Sequence, residues 1–528
     1  MDPRRLLLLS LFALAACGRT EPVHGPLALA GLEDGGYLTD ATAAAIARVD
    51  EGTPEGWVRL PQSLEPADWQ PAPWPDIFEA PIDTSGFGMP PGRTGPHELV
   101  SGERQGVLRK IDRELLDPTA LGDGEFVVLG NKILVVDRQR EFTGGPSTYM
   151  AWIERGARPE GRVSMHGGTG EGWILLPGER IEVDLPALAT SGDARLTFLA
   201  AAHGDHERGT TTTLAVSLDE VEVERFALTD HVIEHPKPQR VDLDDFEGGR
   251  LTLAVPEGRG AVLVLAPTLA AAEPPTTSAR PDLVLFLADT FRADSMAAYG
   301  GDPRLTPEMN AFADEGLTFT GARSSAAWTL PSQSSMLTGL HPLQHDVSVQ
   351  DRSLTPGTWT LARLLRDAGY RTVAVTDGLF VSERYGLDQG FEIFLEQTGG
   401  TKDYRTRTLD RLEDVLELDD GRPLFLFVQT YRTHEPFFVE PDTLTNLTWL
   451  FGDDLGIEDW DFLQLVYDED WYRLMGDRSE RPKLSEVVEQ LLRLYRGGCH
   501  DLDRGFGETL DLFDEVGLGD ATVVLTSD

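Results

Sequence analysis

Two hydrophobic rhythms divide this chain. Between about residues 106 and 269, apolar positions recur every second residue. Leu214, Val216 and Leu218 interleave with Thr213, Ala215 and Ser217, and Leu251, Leu253 and Val255 alternate again. That is the period of strands with one face in a core. Residues 126–129 and 133–136 are apolar runs flanking Gly130-Asn131-Lys132, as in a hairpin. Residues 221–224 follow Asp219-Glu220, and 261–265 follow Gly258-Arg259-Gly260. Short strands with frequent turn residues predict a β-sandwich over 106–269.

Residues 270–280, with Pro274-Pro275-Thr276-Thr277-Ser278, have the composition of a linker. Beyond it apolar residues come in unbroken runs at 283–288 and 424–428, and residues 371–375 and 522–525 read as further strands. Such runs are strands buried on both faces. Helical periodicity separates them. Thr306-Pro307-Glu308 starts a helix that turns Met309, Phe312 and Ala313 inward, with threonine as N-cap and proline at the first position. Residues 360–368, closed by Gly369, form a second; 410–418, 485–495 and 503–514 are further helices, and 440–480 are an acidic, tryptophan-containing insertion. Strand–helix alternation of this kind predicts an α/β domain over 281–528 with a mostly parallel central sheet.

Parallel strands share a carboxyl edge, where ligands bind. Asp289 ends the first run, Asp528 follows the last, and His434 lies six residues past Val428. Trp328-Thr329-Leu330-Pro331 precedes another helix, and Pro331 as its first residue would leave Thr329 just before the N-terminus, where free N–H groups favour an anion. Two aspartates and a hydroxyl could hold a metal ion and an anionic ester between them.

With 528 residues and a net charge of −42, the chain exceeds one core and lacks the basic footprint that nucleic acid requires. An anionic substrate would need a bound cation for local attraction. The N-terminus carries Arg4 and Arg5, a short apolar core and Leu14-Ala15-Ala16-Cys17. This resembles a bacterial lipobox: residues 1–17 are then a signal peptide with lipidated Cys17, and the protein is anchored in the cell envelope through that lipid. Residues 18–105, rich in Pro and Gly, read as a tether and packing segment. Cys499 alone remains, too few for a structural disulfide. His203 and His206, around Asp205, are a minor candidate metal pair.

Residues 281–528 resemble the sulfatase family of the alkaline-phosphatase superfamily, in particular its bacterial lipoprotein members. The likeness rests on residues 281–294, Thr306-Pro307, Trp328 to Gly339, Thr360-Leu361-Ala362, Gly369-Tyr370-Arg371-Thr372, Gly386 to Phe391, Thr433-His434-Glu435-Pro436-Phe437 and Thr526-Ser527-Asp528. It implies an alkaline-phosphatase-like domain, and metal-dependent hydrolysis of a sulfate or phosphate ester on a small molecule or glycan. Asp289 and Asp528 correspond to metal ligands, Thr329 to the nucleophile, Gln333 to the arginine of the C-x-P-S-R motif and His434 to a histidine that contacts the ester. Ca²⁺ or Zn²⁺ is expected ahead of Mg²⁺. The departures point elsewhere within the superfamily. Threonine is not expected to be converted to formylglycine, Thr290 replaces a second aspartate, and Asp377-Gly378-Leu379 stands where a lysine and a histidine are common. Unmodified threonine is the nucleophile of phosphodiesterases and phosphoethanolamine transferases, a second possible activity; a non-catalytic glycan-binding lipoprotein is a third. The family continues past Asp528 with His-Gly, so the domain is expected to be C-terminally incomplete.

Overall fold

The computed structural model describes residues 162–272 with short breaks and residues 280–528 apart from 351, 356, 398–403, 436, 438 and 452–480. Before residue 162 it describes the backbone of short strands between 27 and 155. The Cys17 lipobox, most of 18–105, His206 and most of the acidic insertion lie outside the described residues. The expected hairpin is present, with Phe126–Leu129 antiparallel to Lys132–Asp137.

The strands used below are β1 (Gly168–Leu175), β2 (Glu179–Leu185), β3 (Gly192–His203), β4 (Thr211–Leu218), β5 (Val221–Thr229), β6 (Lys237–Phe246), β7 (Gly249–Ala254) and β8 (Ala261–Ala271). β5, β4, β7 and β2 form one antiparallel sheet, and β6, β3, β8 and the second half of β1 form another. Their facing residues, among them Trp173, Phe198, Val216, Leu253 and Val264, build one core. β8 runs through Ala271 and so takes in the start of the residues whose composition suggested a linker.

The α/β part contains β9 (Leu283–Ala288), β10 (Arg371–Thr376), β11 (Ile393–Glu396), β12 (Leu424–Thr430) and β13 (Thr522–Thr526), in the order β13-β9-β12-β10-β11, all parallel. The continuous apolar runs in β9 and β12 are explained by burial on both faces, whereas β13, at the end of the strand order, is partly exposed, with Val524 half-exposed. Val284, Phe286 and Ala288 face the same layer as Leu424, Leu426 and Val428, under helices α1 (Pro307–Glu315), α5 (Tyr404–Leu416) and α6 (Arg481–Glu515). Leu287, Ala374, Phe425 and Phe427 face the other layer, under α2 (Thr329–Thr338) and α4 (Leu361–Asp367), with the short α3 (Pro342–His345) packed on α2.

Three local expectations change. Residues 485–495 and 503–514 belong to a single helix, α6, rather than two. Tyr495, Cys499, Leu502, Phe506 and Phe513 keep a buried stripe running through it, and that packing outweighs the cost of Gly497 and Gly498, about 1 kcal/mol each. Thr306 is the N-cap residue of α1, but its hydroxyl donates to Ser295 O; the Asp503 carboxylate on α6 accepts from the N–H groups of Glu308 and Met309 instead. Thr329 is the first residue of α2, with Trp328 as N-cap, and Pro331 is the third.

The two modules share one sheet. The first half of β1 pairs antiparallel with β11, and its second half with β8. Glycine makes this approach feasible: a Cβ on Gly170 would lie 2.0 Å from Glu392 O, and one on Gly172 2.1 Å from Val264 O. Glu171 and Arg366 form a buried ion pair across the seam, and Lys237 Nζ meets Asp414 Oδ2 of α5 at 2.8 Å. Leu199, Leu263 and Leu265, on the outer face of the sandwich sheet, join the core that underlies α5.

Candidate functional site

Four chain segments end at the carboxyl edge of the parallel sheet. Asp289 follows β9, Asp377 follows β10, Tyr431 to His434 follow β12, and Asp528 lies two residues beyond β13. Because β9 lies between β12 and β13, Asp289 is central. Its N–H donates to Thr430 O at 3.0 Å, and its own carbonyl accepts from Thr433 Oγ1 at 2.6 Å.

Gln333, on the first turns of α2, is fully buried and reaches across this edge. Its Nε2 donates to Asp289 Oδ2 at 3.3 Å and to Asp528 Oδ2 at 3.2 Å. Thr290 N–H donates to Asp528 Oδ1 at 3.1 Å, and Ser332 Oγ to Asp528 O at 3.3 Å. Two carboxylates are thereby drawn to one amide. Burial, then the like charge of Asp528, pushes Asp289 from the ordinary 3.8 up to about 9, and the Thr329 hydroxyl beside it opposes the rise. A cation beside the two carboxyls would favour their ionised form.

Thr290 occupies the left-handed region, with φ of 56°, a costly conformation for a β-branched residue, on the order of 1–3 kcal/mol. The surroundings hold it on every polar atom: N–H on Asp528, Oγ1 donating to Thr433 O at 2.9 Å, and O accepting from Tyr495 Oη at 3.0 Å. Backbone strain thus lies where the two metal-candidate aspartates meet.

The site's rear wall is polar. Asp377 accepts from Thr430 Oγ1 and Tyr431 N, each at 2.8 Å, and from Arg411 Nη2 at 3.3 Å. Arg432 is turned to Glu440 and Asp501 at 2.8 and 3.1 Å. Both arginines are therefore engaged by carboxylates. His434 packs edge-on against Tyr431, with ring centroids 5.3 Å apart, and its Nδ1 donates to Glu435 O at 2.6 Å. A carbonyl only accepts, so this bond leaves Nε2 as the basic nitrogen.

Asp289, Thr329, Gln333 and Asp528 are brought together, while His434 stands on the same edge with its hydrogen bond to its own chain. Asp377, Tyr431 and Thr433 are parts of the site that sequence reading did not assign. Asp377 had a signal: like Asp289, it directly ends a buried run. Thr433 had only its place beside His434 in a resembled motif, because its role is a hydrogen bond to a residue 144 positions away.

A divalent cation suits this donor set. Among the described residues no three His, Cys, Asp or Glu side chains gather around one point. However, Asp289 Oδ1 and Gln333 Oε1 are buried oxygens with no hydrogen-bond partner. Unpartnered buried oxygens beside two carboxylates fit a hard cation.

Part of this chain is similar to known proteins. The model of the sulfatase family matches residues 281–528. The chain is similar to an N-acetylglucosamine-6-O-sulfatase of Bacteroides thetaiotaomicron, with 28% identity over 109 residues, 21% of this chain and 20% of that protein. It is also similar to human arylsulfatase H, with 29% identity over 139 residues, 22% of this chain and 25% of that one. The chain thus spans between a fifth and a quarter of the length of these relatives. A solved structure of a protein with its substrate D-glucosamine-2-N,6-O-disulfate matches 47% of this chain and 65% of that chain, with 21% identity and a TM-score of 0.36. The match to the sulfatase family thus covers just under half of the chain, the α/β part that carries this edge.

Proposed function

We propose that this protein is an exported, lipid-anchored hydrolase of sulfate or phosphate esters that uses Thr329 as its nucleophile. The observation that carries the reading is the convergence of the Thr329 hydroxyl with the carboxyl groups of Asp289 and Asp528 at the sheet's carboxyl edge. Asp289 and Asp528 would hold a divalent cation, Ca²⁺ or Zn²⁺, which when bound neutralises the ester oxygens and lowers the pKa of a neighbouring hydroxyl. Thr329, at the start of α2, also profits from the helix N-terminus, which favours developing negative charge. Its Oγ gives up its proton to solvent and attacks sulfur or phosphorus, forming one ester bond as the bond to the departing alcohol breaks. His434 Nε2, when protonated, supplies the proton that alcohol needs. Water then attacks the enzyme-bound ester, releases sulfate or phosphate and restores the hydroxyl.

The substrate class is a sulfated or phosphorylated glycan or small molecule of the envelope, in keeping with the glycan sulfatases among the relatives. The chemistry of Thr329 supports phosphodiesters as the second substrate class. A threonine phosphate is hydrolysed by direct attack, whereas a threonine sulfate lacks the release route that a formylglycine hydrate provides. The full chain should be incubated with CaCl₂ or ZnCl₂ and an aryl sulfate or a bis-aryl phosphodiester, beside Thr329→Ala. Loss of roughly a hundredfold or more in turnover is expected for the variant. Undiminished turnover would remove Thr329 from the mechanism, and mass spectrometry of its peptide reports any modification.

A further inference from the structure

We propose that Gln333 is itself a metal ligand: its amide holds Asp289 and Asp528 together in the metal-free protein and turns over to present Oε1 when a calcium-sized cation arrives. This inference rests on the metal-dependent reading above and assigns a role to a residue that departs from the arginine of the resembled motif.

Three features of the site point this way. Gln333 is fully buried, so its side chain is not a solvated bystander. Its Nε2 donates to both carboxylates, at 3.3 and 3.2 Å, while its Oε1 has no partner. Buried amide oxygens without a partner are uncommon, and each costs roughly 1–3 kcal/mol. Finally, the same place cannot keep Nε2 facing a cation, since an amide nitrogen donates and has no lone pair to give.

Rotating the amide by half a turn exchanges its two atoms with little change in shape. Oε1 then stands where Nε2 does now, close to one oxygen from each aspartate. Neighbouring ligands of a six-coordinate cation lie about 1.4 bond lengths apart. That is about 3.3–3.5 Å for calcium bonds of about 2.3–2.5 Å, and about 2.9 Å for magnesium bonds of about 2.0–2.1 Å. The present spacings of 3.3 and 3.2 Å lie closer to the calcium values than to the magnesium one. An arginine here would bring a positive charge against the cation. A neutral amide supplies an oxygen without adding charge, and with Asp289, Asp528 and the Thr329 hydroxyl it makes a donor set of oxygens alone.

The test is calorimetric titration of the full chain, stripped with EDTA, with CaCl₂ and separately with MgCl₂. Wild type, Gln333→Met, Gln333→Asn and Gln333→Glu are compared, with circular dichroism as the check on folding. Ca²⁺ should bind more tightly than Mg²⁺ to wild type. Gln333→Met, of similar volume but without the oxygen, should lose about tenfold or more in Ca²⁺ affinity, and Gln333→Asn, which keeps the amide but falls short by a methylene, should lose a similar amount. Gln333→Glu should bind Ca²⁺ at least as tightly as wild type. If wild type binds Ca²⁺ and both Gln333→Met and Gln333→Asn bind it equally well, the ligand role is overturned while the metal reading stands. If wild type binds neither cation, this assignment falls, and if a third titration with ZnCl₂ also shows no binding, the metal reading fails with it. A Met variant that does not fold leaves the decision to Gln333→Asn and Gln333→Glu.

Discussion

Thr433 donates its hydroxyl to the carbonyl of Asp289 at 2.6 Å, and its own carbonyl accepts from Thr290 Oγ1 at 2.9 Å. This two-way tie fixes the loop that carries His434 against the strand end that carries the buried aspartate. Thr433→Val should therefore cost about 1–3 kcal/mol of stability by leaving a buried carbonyl unpaired. It should lower turnover beyond what the melting temperature accounts for, because His434 loses its anchor. Melting curves and kinetics on the same preparation check both parts; a variant with wild-type stability would show that the tie carries no load.

The seam between the modules should behave as a buried ion pair does. Arg366→Ala leaves Glu171 buried beside β11 without that guanidinium, and a loss of about 3–5 kcal/mol is expected. Replacing both residues by apolar ones of similar volume should recover most of it. Urea denaturation of the two single variants and the double variant measures the coupling. Additive losses would place the pair's contribution outside this contact.

Gly170 and Gly321 provide a contrast within one chain. A Cβ on Gly170 meets the Glu392 carbonyl at 2.0 Å, whereas one on Gly321 meets nothing within 4 Å. Gly170→Ala should open the pairing of β1 with β11, lowering stability by about 2 kcal/mol or more, and Gly321→Ala should be within about 0.5 kcal/mol of wild type. Hydrogen exchange at Glu171 N–H, which donates to Glu392 O at 3.2 Å, should speed up only in the first. Equal protection in the two variants would contradict the close approach.

Asp503 gives a pH dependence with a defined sign. Burial pushes it up to about 6, against the opposing N–H groups of Met309 and Glu308. With a folded pKa above the unfolded one, its proton favours the folded state. That stability is complete below about 3.8 and is lost as pH rises through about 6. Between pH 7.5 and 5, wild type should gain on the order of 1 kcal/mol relative to Asp503→Asn. Denaturation of both proteins at the two pH values reads this directly, and a constant difference between them would place the titration elsewhere.

Much of this protein was determined by sequence alone. Runs such as 283–288 and 424–428 are apolar at every position because both faces are covered, and alternation at 214–218 follows from a strand with one face in a core. Those periods dictate the elements, and a charged residue closing a buried run marks the functional edge, as Asp289 does. Tertiary structure decided what no local pattern encodes. It fused α6 through two glycines, because a buried stripe outweighs helix propensity. It capped α1 with Asp503 from a distant helix and joined the sandwich to the parallel sheet through Gly170. It also placed Gln333 between two aspartates 44 and 195 residues away. Such contacts depend on which strands become neighbours, and the sequence spells out each strand without spelling out its partner.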